Sequence, residues 1–100
     1  MNSNLDVSKD KIKAFCEQYS VRKLALFGSV IRDDFGPNSD IDVLIDFMPG
    51  QTPGFFKLAE MEDILSNLYG HRKIDLRTPH DLSTFFRKKV QDSAEVQYVR

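Results

Sequence analysis

Between residues 8 and 20 the apolar positions Ile12, Phe15, Cys16 and Tyr19 recur at the i, i+3, i+4, i+7 spacing of one helical face, and Ser8 stands where an N-cap belongs. The spacing predicts a first amphipathic helix. Leu24, Ala25, Leu26 and Phe27 then form an unbroken apolar run ending at Gly28, the pattern of a buried strand entering a tight turn, with a short helix expected from Ser29. A polar loop from Asp33 to Ser39 follows, broken by Gly36 and Pro37, and Ser39 is expected to close or cap it. Ile41, Val43, Ile45 and Phe47 alternate with Asp42, Leu44 and Asp46 at strict period two, which predicts the clearest strand in the chain.

Pro49, Gly50, Pro53 and Gly54 mark a loop, and Leu58, Met61, Leu65 and Leu68 mark a helix that should stop at Gly70. Lys73 to Thr78 returns as a strand that Pro79 breaks. Leu82, Phe85, Phe86 and Val90 describe one face of a final helix, with Arg87, Lys88 and Lys89 expected in its last turns, where cations suit the helix dipole. The tail from Glu95 to Arg100 reads as a short edge strand. Alternating helices and strands predict an α/β (α+β) fold, a single mixed β-sheet with helices packed against it.

The length, 100 residues, holds one compact domain spanning 1–100. Apolar residues at 41% and charged residues at 29% place the chain among ordinary globular domains rather than disordered ones. Fourteen Lys and Arg against fifteen Asp and Glu leave a net charge of -1, so no overall positive field attracts nucleic acid, and strong nucleic-acid binding is not expected. The charges are nonetheless segregated. Asp33, Asp34, Asp40, Asp42 and Asp46 share a stretch without Lys or Arg, whereas Arg72, Lys73, Arg77, Arg87, Lys88, Lys89 and Arg100 crowd the last third. A single cysteine, the absence of a signal-like start and the lack of any apolar run of roughly 18 to 20 residues make a cytoplasmic, non-membrane protein the expectation.

The candidate chemistry begins with Asp40 and Asp42. Two residues apart at the start of a strand, they leave the same face with Cα atoms about 6.5 to 7 Å apart and can converge on one point. Two such carboxylates repel unless a cation neutralises them, and hard oxygen ligands suit Mg²⁺. An isolated Asp-x-Asp is equally compatible with the solvent face of an amphipathic strand. Gly28-Ser29, ten residues upstream at the junction of a buried strand and a helix start, adds free backbone N–H groups and a hydroxyl able to hold a phosphate.

The runs Phe27-Gly28-Ser29-Val30-Ile31-Arg32 and Ser39-Asp40-Ile41-Asp42-Val43-Leu44-Ile45, with Lys73-Ile74-Asp75-Leu76 and the tail from Leu82 to Val99, resemble the DNA polymerase β-like nucleotidyltransferase superfamily. More closely, they resemble its minimal nucleotidyltransferase (MNT) proteins, often antitoxins paired with a HEPN-domain toxin. The resemblance implies the polymerase β-like fold and a catalytic, metal-binding set of Asp40, Asp42 and Asp75, holding Mg²⁺, two ions in the family pattern, that carry ATP. It implies a nucleotide-binding set of Gly28, Ser29 and Arg32. Asp75 is the natural third carboxylate, because Ile74 and Leu76 would point to the core; beside Lys73 and Arg77 it could equally be ion-paired.

By the same resemblance the expected activity is Mg²⁺-dependent transfer of AMP from ATP to a tyrosine hydroxyl of a cognate HEPN toxin, in a hetero-oligomer that neutralises the toxin. Larger superfamily members add a helical domain that grips the acceptor, which this length does not accommodate, so a partner is expected to present the hydroxyl. The other readings are a non-catalytic antitoxin acting by contact alone, and transfer to RNA or a small molecule. Asp46 reads as solvated, His71 and His80 as surface residues and Cys16 as core. The Phe55-Phe56 and Phe85-Phe86 pairs read as half core, the outward ring being free to stack on a base or meet a partner.

Overall fold

The computed structural model describes residues 8–28, 36, 39–81 and 84–100, with side-chain placement for all of these except 80 and 84–87. Helix α1 (Lys9–Gln18) leads into strand β1 (Val21–Phe27), followed by β2 (Ile41–Phe47), α2 (Phe55–Leu68), β3 (Ile74–Arg77), a 3₁₀ turn (Pro79–Asp81), α3 (Thr84–Ser93) and β4 (Glu95–Val99). The strands form one mixed sheet in the order β3-β2-β1-β4. β1 runs antiparallel to both neighbours, and β2 pairs in parallel with β3 through the α2 crossover. This is the α+β arrangement expected from the alternation of elements; β2 carries the predicted alternation but begins at Ile41, so Asp40, expected at the start of the strand, lies just before it. The helix expected from Ser29 lies outside the described residues.

The main core fills the sheet face covered by α1 and α2. Ile12, Phe15, Cys16 and Tyr19 from α1 and its exit meet Leu24, Leu26, Ile41, Val43, Ile45 and Ile74 from the sheet and Met61, Leu65 and Tyr69 from α2. Each fully buried Leu or Ile stabilises the fold by roughly 1.5 to 3 kcal/mol relative to exposure. Leu24 and Leu26, both with no exposed surface, are therefore positions where truncation to Ala should cost about 2 to 5 kcal/mol. α2 ends where expected. The Tyr69 N–H donates to the Leu65 carbonyl, Gly70 takes the left-handed conformation at φ +77°, and the His71 N–H closes onto the Ser66 carbonyl at 2.7 Å.

The opposite sheet face is mixed. Phe27, Leu44 and Val90 form a second small core with Ala94 packed against it, so Leu44 is buried although its parity groups it with Asp42 and Asp46. Three other expectations are corrected. Ser8 occupies the N-cap position of α1, but its side chain makes no capping hydrogen bond. α3 runs on to Ser93, so Lys88 and Lys89 fall in its middle and its last turn carries no cation. Phe55 and Phe56 are not half core: both rings are exposed, at 80% and 87%, and touch each other edge to face with centroids 5.8 Å apart. They occupy the first turn of α2, which meets the core only from Leu58 onward.

Candidate active site

β2 is the middle of the site because it is hydrogen-bonded on both sides. Asp42 pairs with Phe27 of β1 on one flank and with Asp75 of β3 on the other. Residues opposite one another in adjacent strands share a face, so the Asp42 and Asp75 carboxylates stand side by side. Ile74 is buried and Leu76 packs against the main core, which leaves Asp75 on the other face, as its parity requires. Asp40 precedes the first residue of β2 with its side chain about half exposed, 47%.

Gly28 follows Phe27 directly and completes the floor. It adopts φ +73°, a left-handed conformation, and a Cβ built there would lie 2.2 Å from Asp42 Oδ2. No residue but glycine fits without displacing the carboxylate. The lack of a side chain at Gly28 thus lets the Asp42 carboxylate lie against the backbone at the end of a buried strand.

The carboxylates make an electrostatically unfavourable group. Burial, then the Asp75 and Asp40 charges, raise the Asp42 pKa above its ordinary value of 3.8; Arg77 opposes the rise, and a hydrogen bond shared with Asp75 adds to it. Basic side chains partly offset the repulsion. Arg77 forks onto Asp75, with Nε 3.2 Å from Oδ1 and Nη2 3.3 Å from Oδ2, while Lys73 Nζ lies 4.0 Å from Asp40 Oδ2. Among the described residues no three His, Cys, Asp or Glu side chains are gathered at metal-ligand distances. The donor set still fits a hard divalent cation: three carboxylates at one end of the sheet, a side-chain-free Gly28 that gives the Asp42 carboxylate its place, and a mutual repulsion that such an ion would relieve.

Four of the residues singled out in the sequence, Gly28, Asp40, Asp42 and Asp75, are therefore brought to one end of the sheet. Ser29 and Arg32 lie outside the described residues. Asp46 sits at the other end of β2, where Arg22 holds it in an ion pair, and His71 is exposed. Cys16 is wholly buried, with its thiol pushed up to about 12 by desolvation, which suits a core residue and not a nucleophile. Sequence reasoning overlooked Arg72. Its guanidinium donates to the Gly36 carbonyl at 2.8 Å, a contact spanning 36 residues that no local pattern announces.

The chain is similar to known proteins along most of its length. The model of the nucleotidyltransferase domain matches residues 9–96, nearly the whole chain. The chain belongs to the nucleotidyltransferase-domain family. Among its relatives, a candidate protein adenylyltransferase of Methanocaldococcus jannaschii is 41% identical over 71 residues, covering 71% of this chain and 69% of that protein. The protein adenylyltransferase MntA of Thermococcus cleftensis is 36% identical over 87 residues, covering 87% of this chain and 83% of its own. In structure this nucleotidyltransferase superimposes on a protein described as a minimal nucleotidyltransferase with a TM-score of 0.70 at 26% identity, covering 86% of this chain and 85% of the other. It shares its fold with a chain of a toxin–antitoxin complex crystallised with AMP-PNP, with a TM-score of 0.72 at 20% identity over 94% of this chain and 75% of the other. The fold and family expected from the Gly28-Ser29 and Asp40-Ile41-Asp42 motifs are those found.

Proposed function

We propose that this nucleotidyltransferase is an antitoxin that transfers AMP from ATP to a tyrosine hydroxyl of a cognate HEPN-type toxin and so silences it. The observation that carries the reading is the placement of Asp42 directly opposite Asp75, with its carboxylate against the side-chain-free Gly28. A surface that served only for binding has no physical need to hold like charges together at a buried strand end. The names of the relatives, protein adenylyltransferases, and the toxin–antitoxin complexes among the structural neighbours support the same reading.

Asp40, Asp42 and Asp75 would hold Mg²⁺. When bound, the ion neutralises charge on the phosphates and lowers the pKa of the acceptor hydroxyl. The chain's own residues do the rest. The Gly28 turn, with Ser29 and Arg32, would seat the triphosphate, and its left-handed backbone lets the phosphates come close to the Asp42 carboxylate. The acceptor oxygen attacks the α-phosphorus in line, a new P–O bond forms, the bond to the bridging oxygen breaks and pyrophosphate departs. Asp75, beside the reacting centre, would take the hydroxyl proton.

A growth assay separates this from neutralisation by contact alone. Co-expressed with its cognate HEPN-type toxin, the wild-type chain should restore growth and the Asp40→Asn, Asp42→Asn chain should not. Restoration by the double variant would assign neutralisation to binding.

A further inference from the structure

The site, read as above, requires Asp40 and Asp42 to keep a fixed separation, yet the two are anchored unequally. Asp42 is locked in the ladder between Phe27 and Asp75. Asp40 stands outside it: the first backbone contact of this segment with the neighbouring chain is the Ile41 N–H donating to the Lys73 carbonyl at 2.9 Å. What fixes Asp40 must therefore come from the residues before it.

Of the residues just before it, Gly36 and Ser39 are tied to each other. The Ser39 N–H donates to the Gly36 carbonyl at 3.1 Å, and the Gly36 N–H donates back to Ser39 Oγ at 3.0 Å. Onto this pair the half-buried Arg72 guanidinium donates from Nη1 to the Gly36 carbonyl at 2.8 Å and, more weakly, toward the Ser39 carbonyl at 3.5 Å. The Ser39 carbonyl belongs to the peptide bond that leads into Asp40. A charged donor on a carbonyl forms a stronger hydrogen bond than a neutral one, and the planar fork of arginine can span two acceptors that a lysine would meet singly. The next residue, Lys73, contributes its carbonyl to Ile41 and its ammonium group to the vicinity of the Asp40 carboxylate. The segment ahead of β3 thus grips the segment ahead of β2 on both sides of Asp40.

We propose that Arg72 is a positioning residue of the nucleotidyl-transfer site, clamping Gly36 and Ser39 so that the Asp40 carboxylate is held at the distance from Asp42 that a shared divalent cation requires. Arg72 acts through the backbone of Ser39. The inference rests on the reading of Asp40 and Asp42 as metal ligands, for which a displacement of about half an ångström is enough to weaken binding.

The test is a Mn²⁺ titration of the full chain, followed by electron paramagnetic resonance of the free ion, for wild type, Arg72→Ala, Arg72→Lys and the Asp40→Asn, Asp42→Asn variant, each with a thermal melt. Arg72→Ala should remain folded and lose about tenfold or more in Mn²⁺ affinity, and Arg72→Lys should lie between it and wild type. Amide hydrogen exchange should quicken at Ser39 in Arg72→Ala while the amides of β1 and α2 keep their protection. Wild-type Mn²⁺ affinity in Arg72→Ala, with binding lost in the double Asp variant, would overturn the positioning role alone. A lowered melting temperature with wild-type affinity below it would reduce Arg72 to a structural residue and equally overturn the proposal. Undiminished binding in the double Asp variant would instead overturn the metal site itself, and the role of Arg72 with it.

Discussion

Asp75 stands directly opposite Asp42 across the parallel pair of β2 and β3, and burial together with the Asp75 charge raises the pKa of Asp42. An acid whose folded pKa is raised holds a proton that the unfolded chain has already released. Stability therefore falls as pH rises from 3.8 through the raised value, and the full penalty is present above it. Asp42→Asn removes this dependence and should stabilise the metal-free protein at neutral pH by about 0.2 to 1 kcal/mol, the scale of a like-charge cross-strand pair. Denaturant melts at several pH values check it. Adding Mg²⁺ should stabilise the wild type and leave the variant unmoved, and chelation should reverse the gain.

Gly28→Ala tests the close approach of Asp42 to the backbone. The new methyl would impose a left-handed strain of roughly 1 to 2 kcal/mol and would drive into Asp42 Oδ2. Asp42 must swing away, so we expect a modest loss of stability together with a loss of transfer of about a hundredfold or more, the scale on which a displaced reacting group slows a reaction. Circular dichroism with a transfer assay checks both.

Cys16 predicts an alkaline limb. Its thiol ionises near 9.0 in the unfolded chain but is pushed to about 12 in the fold, so between these values the unfolded state alone loses the proton. Stability should fall with rising pH across that window, by at most about 1.4 kcal/mol per unit from this group. Cys16→Ala should flatten the slope. The native thiol should also resist alkylating reagents near pH 8 and react once the chain is unfolded.

Asp46→Asn serves as the contrasting carboxylate. Asp46 lies at the other end of β2 in a surface pair with Arg22, both side chains partly exposed at 34% and 46%. Its removal should change stability by less than about 1 kcal/mol and leave transfer within about twofold of wild type. A large loss of activity would extend the site along the whole strand.

Much of this was legible in the chain. β2 was readable because one of its faces meets the main core along its whole length, which forces the apolar parity of Ile41, Val43, Ile45 and Phe47. The face that Asp75 takes was readable from its place between Ile74 and Leu76. The partners were not. That Asp42 faces Asp75 depends on the register across α2, and that Arg72 reaches Gly36 depends on how two loops meet. Leu44 was misplaced because period two assigns a face but cannot tell that Val90 of α3 will cover part of it. Phe55 and Phe56 were misplaced because their apolar character suggested burial in a first helical turn that meets no core.

The central claim is that the Asp40, Asp42 and Asp75 end of the sheet transfers AMP to a protein hydroxyl. Intact-mass spectrometry of the proposed HEPN-type toxin partner, after incubation with the chain, ATP and Mg²⁺, tests it most directly. A gain of one or more AMP masses with the wild type, lost with the Asp40→Asn, Asp42→Asn chain, is the predicted result. An unmodified toxin held in a stable complex, or a gain that persists with the double variant, would contradict it.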